Sequence, residues 1–386
     1  MATPHGASTM RIAYITNSME GGGAALPIPA VTRVLRDLGA QIRVFSLEKR
    51  DGLALPSLLA AGLEPLVRPA GGRNDHLAAL RWLDEEVRAW GATHLWTSLS
   101  RSAVLGLLLA RRLNLPAFCW LMNALPKSGN RWMLRALQSN AKAWVAVSDS
   151  TAELARRVLK VEDSRVMVWP TFSADPLSPI SKPWRHGETL RLGSLGRLHP
   201  VKGYDVLVGA LAKLREAGFR PPVPFTVTIG GEGAQRRQLE AQARAAGVTE
   251  LLLPGYTEHP RQFLARLHLY VQPSRSEGIC VAAHEAMVAA LPVLASSVGE
   301  LPGSIRDDIT GALVPPEDPA ALAASLHDLL STPERLRPMG EASRLRVLEL
   351  YSERRFIAAG AELFNRMAAC SAAGHTAGPD RSGPRA

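Results

Sequence analysis

Apolar residues recur along this chain in short β-rich runs separated by stretches of helical period. The first run, Arg11 to Thr16, ends in Asn17-Ser18 and a Gly21-Gly22-Gly23 loop, and a helical pattern then continues to Gly39. That order reads as strand, loop and helix. It repeats, with strands expected over Gln41 to Leu47, Glu64 to Arg68, His94 to Thr97, Ala117 to Leu121 and Ala143 to Val147, and a helix over His76 to Trp90. Such alternation predicts βαβ units and a parallel sheet with helices on both faces. From Pro170 to Glu188 the pattern is lost while Pro170, Pro176, Pro179 and Pro183 accumulate, which marks a linker at about 170–188. A second series starts at Leu190 to Leu195 and continues through Phe225 to Ile229, Leu251 to Leu253, Leu269 to Gln272 and Val293 to Ala295, with helices following near 318–330, 334–348 and 353–369. The expected organisation is α/β: two doubly wound, Rossmann-like parallel-sheet domains, 1–180 and 189–352, then a last helix at 353–370. Residues 371–386 lack apolar periodicity and are expected to be a disordered tail. Two such domains facing a central cleft place a ligand where the carboxyl ends of their strands converge.

Composition narrows the class. With 46% hydrophobic and 21% charged residues, disordered, collagenous and disulfide-scaffold proteins are excluded. The longest apolar stretches, 103–110 and 279–295, are cut by Arg111 and Arg112 or carry His284, Glu285 and Pro292, so neither matches the roughly 20 apolar residues of a membrane span. The first ten residues lack the features of a secretory signal, and a cytoplasmic location is expected. Three scattered cysteines, Cys119, Cys280 and Cys370, form no metal-binding pair and fit a reducing compartment.

The net charge, 45 − 35 = +10, favours an anionic partner. Residues 87–148 carry eight basic side chains, no Asp or Glu, and Trp90, Trp96, Trp120, Trp132 and Trp144. Within them Lys127, Arg131, Trp132 and Arg135 fall on a short amphipathic helix with the composition of an interfacial anchor. Two readings stay open: docking on the anionic inner face of a membrane, or a solvated basic face over buried tryptophans. Nucleic acid is not expected, because no recognition signature accompanies the charge.

Three segments carry candidate chemistry. Gly196-Arg197-Leu-His-Pro-Val-Lys202-Gly203 sets two cations on a glycine-flanked turn before a helix at Tyr204, an arrangement suited to a diphosphate or merely to solvated loop charges. Ile229-Gly230-Gly231-Glu232-Gly233 imitates a dinucleotide fingerprint, but Arg236 takes the third glycine place and the loop does not follow the first strand of its domain. In Pro273-Ser-Arg-Ser-Glu277-Gly278-Ile279-Cys280-Val281-Ala-Ala-His284-Glu285-Ala286-Met287, a loop carboxylate and a helix carboxylate stand eight apart. They are able to accept from the hydroxyls of a sugar or ribose, or to be ordinary surface glutamates.

Together with Pro254-Gly255-Tyr256, Leu291 to Ala295 and Gly299-Glu300-Leu301-Pro302, these segments resemble, in order and spacing, the nucleotide-sugar half of family-4 glycosyltransferases of the GT-B fold. The resemblance implies a retaining hexosyl transfer from a nucleoside diphosphate sugar to a hydroxyl of a glycan or lipid-linked acceptor. It implies that Arg197 and Lys202 hold the diphosphate and Glu277 the transferred sugar. Glu285 would take the ribose hydroxyls, the N–H groups of Ile279, Cys280 and Val281 the distal phosphate and sugar, and Gly231, Gly255 and Tyr256 would border the donor. The last helix is expected to cross back to the first domain. Gly21-Gly22-Gly23 matches the loop that approaches donor phosphates and acceptor. Histidines that family members often carry after the fourth and fifth strands are replaced by Trp96 to Arg101 and Trp120 to Asn123, where Ser100 or Asn123 has either a hydrogen-bonding or a structural part. No DxD-like pair occurs in a plausible loop and no metal cofactor is expected. Surface polysaccharide or lipopolysaccharide assembly is the expected setting. The alternatives are a nucleotide-sugar epimerase and a non-catalytic nucleotide-sugar-binding protein.

Overall fold

The computed structural model of the chain describes residues 9–21, 25, 27–72, 74–122 and 128–375. The chain divides into two compact units, Met1–Thr171 with Phe356–Ala386, and Phe172–Arg355. The strands of the first unit are β1 (Arg11–Thr16), β2 (Gln41–Ser46), β3 (Leu66–Val67), β4 (His94–Ser98), β5 (Ala117–Leu121), β6 (Ala141–Ala146) and β7 (Val166–Val168). They form one parallel sheet in the order β3-β2-β1-β4-β5-β6-β7. The second unit contains β8 (Leu190–Leu195), β9 (Phe225–Gly230), β10 (Leu251–Gly255), β11 (Leu269–Gln272), β12 (Val293–Ser296) and β13 (Gly311–Val314), again all parallel, in the order β10-β9-β8-β11-β12-β13.

Helices on both faces leave the central strands without a wet side, which is why β1 and β4 read as continuous apolar or small runs and are buried almost throughout. Trp96, Trp120 and Trp144 belong to that interior, and so account for three of the five tryptophans of the basic stretch. Trp132 does not: it is 73% exposed.

The short strands β7 and β13 and the helices Ser100–Leu113 and Asp149–Leu159 are absent from the sequence-based expectation. Three or four residues are too few to show a period, and an apolar run such as 103–110, buried at every position but Leu108, does not distinguish helix from strand. Ser148 begins the second of these helices by accepting from Thr151 N at 3.2 Å. The expected tail needs correction. The last helix, Glu353–His375, continues through residues 371–375, and 376–386 lie outside the described residues. From Phe356 onward that helix belongs to the first unit: His94 Nε2 lies 3.0 Å from Met367 O, and Trp169 packs on Phe356 with ring centroids 5.4 Å apart.

In each sheet the strand order reverses between neighbours that are not consecutive, β1/β4 and β8/β11. The loops leaving such a pair diverge and open a crevice at the carboxyl ends. In the second unit one glycine lets the two loops meet. Gly203 has φ +64°, and a Cβ there would stand 1.9 Å from the Pro273 carbonyl oxygen. Gly203→Ala is therefore expected to lower the unfolding free energy by about 2–4 kcal/mol, strain and clash combined. Gly218→Ala, at φ +69° with nothing within 4 Å, should cost only about 1 kcal/mol. Urea unfolding of the two variants measures the difference.

Candidate active site

The loop after β8 ends in a single turn, Pro200–Lys202, opened by His199, whose Nδ1 accepts from Val201 N at 3.2 Å. The turn brings Lys202 Nζ to 2.7 Å from Glu277 Oε1 on the loop after β11. The same carboxylate oxygen accepts from Ser274 Oγ at 2.6 Å and from Gln272 Nε2 at 3.4 Å. Tyr270 and Gln272 alternate onto one face of β11. Tyr270 OH donates to Gln272 Oε1 at 2.8 Å and accepts from Leu195 N at 3.1 Å, and Gln272 Nε2 donates to Ser274 Oγ at 2.7 Å. A polar ladder thus runs from the buried end of β8 to an ion pair whose side chains are 21% and 10% exposed.

Burial disfavours the Lys202 ammonium, but Cys280 and Glu277 outweigh it and hold its pKa above the ordinary lysine value. Since burial pushes the Cys280 thiol up and keeps it neutral, the carboxylate is the effective partner. An ammonium has three donors, and Glu277 engages one of them.

Arg275, two residues before Glu277, was not singled out in the sequence. Its guanidinium donates to both Asp205 carboxylate oxygens at 2.8 and 2.7 Å, to Glu317 Oε1 at 2.7 Å and to Pro200 O at 2.6 Å, while Arg275 N donates to Val201 O at 2.8 Å. Paired chiefly with Asp205, then Glu317, it is pushed above the ordinary arginine value and fastens the Lys202 turn to the Glu277 loop. Its partners lie 70 and 42 residues away, and no spacing rule connects them.

Beyond Glu277 the chain makes a left-handed turn at Cys280, φ +54°, and enters the helix Val281–Val288. Ile279 and Cys280 are buried, with Val281 half-buried at the first helical position. Glu285 is half-buried on the same helix, and its carboxylate has no hydrogen bond or ion pair among the described residues. Burial raises its pKa above the ordinary glutamate value, against the opposing pull of Arg261. Gly231 and Gly255 are joined, Gly231 N donating to Gly255 O at 2.7 Å, and Tyr256 beside them is 76% exposed. Arg197 is exposed at the other end of the Lys202 loop.

In the first unit, Gly21 N donates to Asp51 Oδ1 at 3.0 Å. Ser100 Oγ accepts from Asn130 Nδ2 at 3.0 Å at the start of a helix preceded by Leu99 at φ +74°, ψ 161°, a region that glycine normally occupies. Arg101 bridges Glu48 and Asp75, and Asp75 also accepts from Arg68 at 2.6 Å. Gly22, Gly23, Asn123 and Lys127 lie outside the described residues. Arg131, Trp132 and Arg135 are exposed on the helix Ser128–Leu137, whose Leu134 is buried. No helix among the described residues is long and apolar enough to cross a membrane.

The family described as "Glycosyl transferases group 1" matches residues 180–346, and "Glycosyltransferase Family 4" matches 21–172, together well over half of the chain. The chain belongs to the group 1, family-4 glycosyltransferases. Among similar curated proteins is a D-inositol 3-phosphate glycosyltransferase of Streptomyces scabiei, 33% identical over 51% of this chain and 47% of that one. Another of the same name, from Segniliparus rotundus, is 35% identical over 38% of this chain and 34% of that one. The chain thus spans less than half the length of these relatives. Among solved structures, Anabaena Alr3699/HepE in complex with UDP and glucose aligns with TM-score 0.78 at 16% identity, over 93% of this chain and 100% of that one. The fold is GT-B.

Glu285 has a testable signature. Its raised pKa means that folding disfavours the ionised carboxylate, a penalty absent at low pH and complete once pH exceeds both the unfolded and the folded value. Glu285→Gln should therefore raise the thermal midpoint by about 1–3 °C at pH 7 and leave it unchanged near pH 4. A midpoint lowered at pH 7 contradicts the assignment.

Proposed function

We propose that this glycosyltransferase moves a hexose, with retention, from a nucleoside diphosphate sugar to a hydroxyl of a glycan or lipid-linked acceptor in surface polysaccharide or lipopolysaccharide assembly. The observation that carries the donor half is the contact between Lys202 and Glu277 at 2.7 Å, beside the start of the helix Val281–Val288 and the unpaired Glu285. A sugar and its diphosphate are covalently joined, so the groups that hold them must be neighbours. Lys202 keeps two donors for the diphosphate while Glu277 accepts from sugar hydroxyls, and Glu285 accepts from ribose. UDP is the first nucleotide to test, because similar solved structures contain UDP or UDP-glucose.

In the reaction the bond between the anomeric carbon and the phosphate oxygen breaks. The acceptor oxygen joins that carbon on the same face, and its proton leaves with the diphosphate. The protein's task is to stabilise charge growing on the leaving group, and Lys202, Arg197 and the amides at 279–281 supply cations and dipoles for it without a metal cofactor. For the acceptor, exposed Trp132 between Arg131 and Arg135 favours an anionic membrane surface where lipid-linked acceptors reside. A second reading, a small phosphorylated polyol, is favoured by the names of the curated relatives.

With UDP-glucose and a competent acceptor, free UDP should appear together with the glycosylated product, insensitive to EDTA. Lys202→Met should lower kcat about 100-fold, the scale of a lost charge-stabilising donor. Sugar epimerised without UDP release points instead to an epimerase, and binding without turnover to a binding protein. Arg131→Glu with Arg135→Glu should reduce sedimentation with anionic vesicles. Unchanged sedimentation, with turnover on a soluble phosphorylated polyol, selects the second acceptor.

A further inference from the structure

His284, one residue before Glu285, has no part in the donor contacts above. It is fully buried, with Nδ1 3.0 Å from the Cys280 carbonyl oxygen and Nε2 2.7 Å from Ser304 Oγ. A carbonyl only accepts, so Nδ1 carries the proton and donates to Cys280, and Nε2 accepts from the Ser304 hydroxyl. Ser304 Oγ also lies 3.0 Å from Tyr351 OH. With the serine proton committed to His284, the tyrosine is the donor in that contact. The chain of bonds therefore runs one way, from Tyr351 through Ser304 and His284 to Cys280, and requires the neutral imidazole. Burial keeps it neutral, with its pKa lowered to about 4.

Aromatic packing fixes the ring from the sides. Tyr351 meets His284 edge-on with ring centroids 4.7 Å apart, and Phe172 sits 5.5 Å from His284 and 5.7 Å from Tyr351. Ala174 N donates to Tyr351 O at 2.7 Å. Phe172 is the first residue of the second unit and Arg355, shortly after Tyr351, is its last. The segments by which the chain enters and leaves this unit thus meet on the side chain that grips Cys280. Cys280 itself occupies a left-handed backbone conformation, which a side chain disfavours and which persists only where the surroundings over-determine it.

We propose that His284 is a positioning residue: it holds the turn at Ile279, Cys280 and Val281 in the shape that presents their amides to the distal phosphate, and Ser304 and Tyr351 anchor it to the chain segments bounding the unit. The inference rests on reading that turn as part of the donor site. It assigns His284 an effect on the distal phosphate alone, since ribose and base meet Glu285 and the Gly231–Gly255 loops.

The test compares the affinities of UDP and UMP, which differ by the distal phosphate, in wild type and in Tyr351→Phe, Ser304→Ala and His284→Leu; GDP with GMP, or ADP with AMP, serves if that base binds instead. UDP affinity should fall about twofold, about fivefold to tenfold, and further still along that series. UMP affinity should change less than twofold throughout. Should His284→Leu fail to fold, the two outer substitutions decide, because both keep the aromatic packing. Parallel losses of UDP and UMP reduce His284 to a core residue and overturn the proposal, as does UDP binding at wild-type strength in Ser304→Ala. A wild type that binds none of the three diphosphates refutes the donor-site reading itself, and the inference falls with it.

Discussion

An ammonium and a carboxylate 2.7 Å apart, each taken largely out of water, are costly to hold unless the surroundings make the pair rigid. The second unit is built around meeting that requirement. Lys202 and Glu277 come from loops that leave neighbouring strands at a switch point, and a glycine at 203 removes the side chain that would keep those loops apart. Arg275 binds one loop to the other through Asp205 and Pro200 O, and the Tyr270–Gln272–Ser274 ladder orients the carboxylate from beneath. On the proposed donor-site reading, a pair arranged in this way meets a charged, hydroxyl-bearing ligand with little rearrangement, which is the condition for electrostatic stabilisation of a leaving group.

The parts of this site that follow from local chemistry were legible in the sequence. Glycine-flanked cations before a helix, and a loop carboxylate eight residues from a helical one, are patterns within a single turn or loop. The structure brings Lys202 and Glu277 into contact although 75 positions separate them. What sequence alone does not give is the support. Arg275 acts through Asp205 and Glu317, and His284 through Ser304 and Tyr351; those pairings depend on strand order and helix packing, which leave no local spacing to read. His284 also sits in a stretch so apolar that a buried core histidine is its ordinary reading.

The fold shows the same division. Alternation of strand and helix was enough to anticipate two parallel sheets, because each βαβ unit announces itself locally. The three-residue strand β7 and the helix Ser100–Leu113, buried on nearly all sides, carried too little period to be seen. Tryptophans in the basic stretch separated only in the structure. Trp96, Trp120 and Trp144 lie on β4, β5 and β6 and form interior, while Trp132 lies exposed on the helix Ser128–Leu137 between two arginines.

The most direct measurement is a crystal structure of the protein with UDP. The account predicts the distal phosphate within hydrogen-bond distance of Lys202 Nζ and the 279–281 amides, and the ribose hydroxyls on Glu285. UDP bound elsewhere, or bound with Glu285 still unpaired and Lys202 engaged by Glu277 alone, would contradict it.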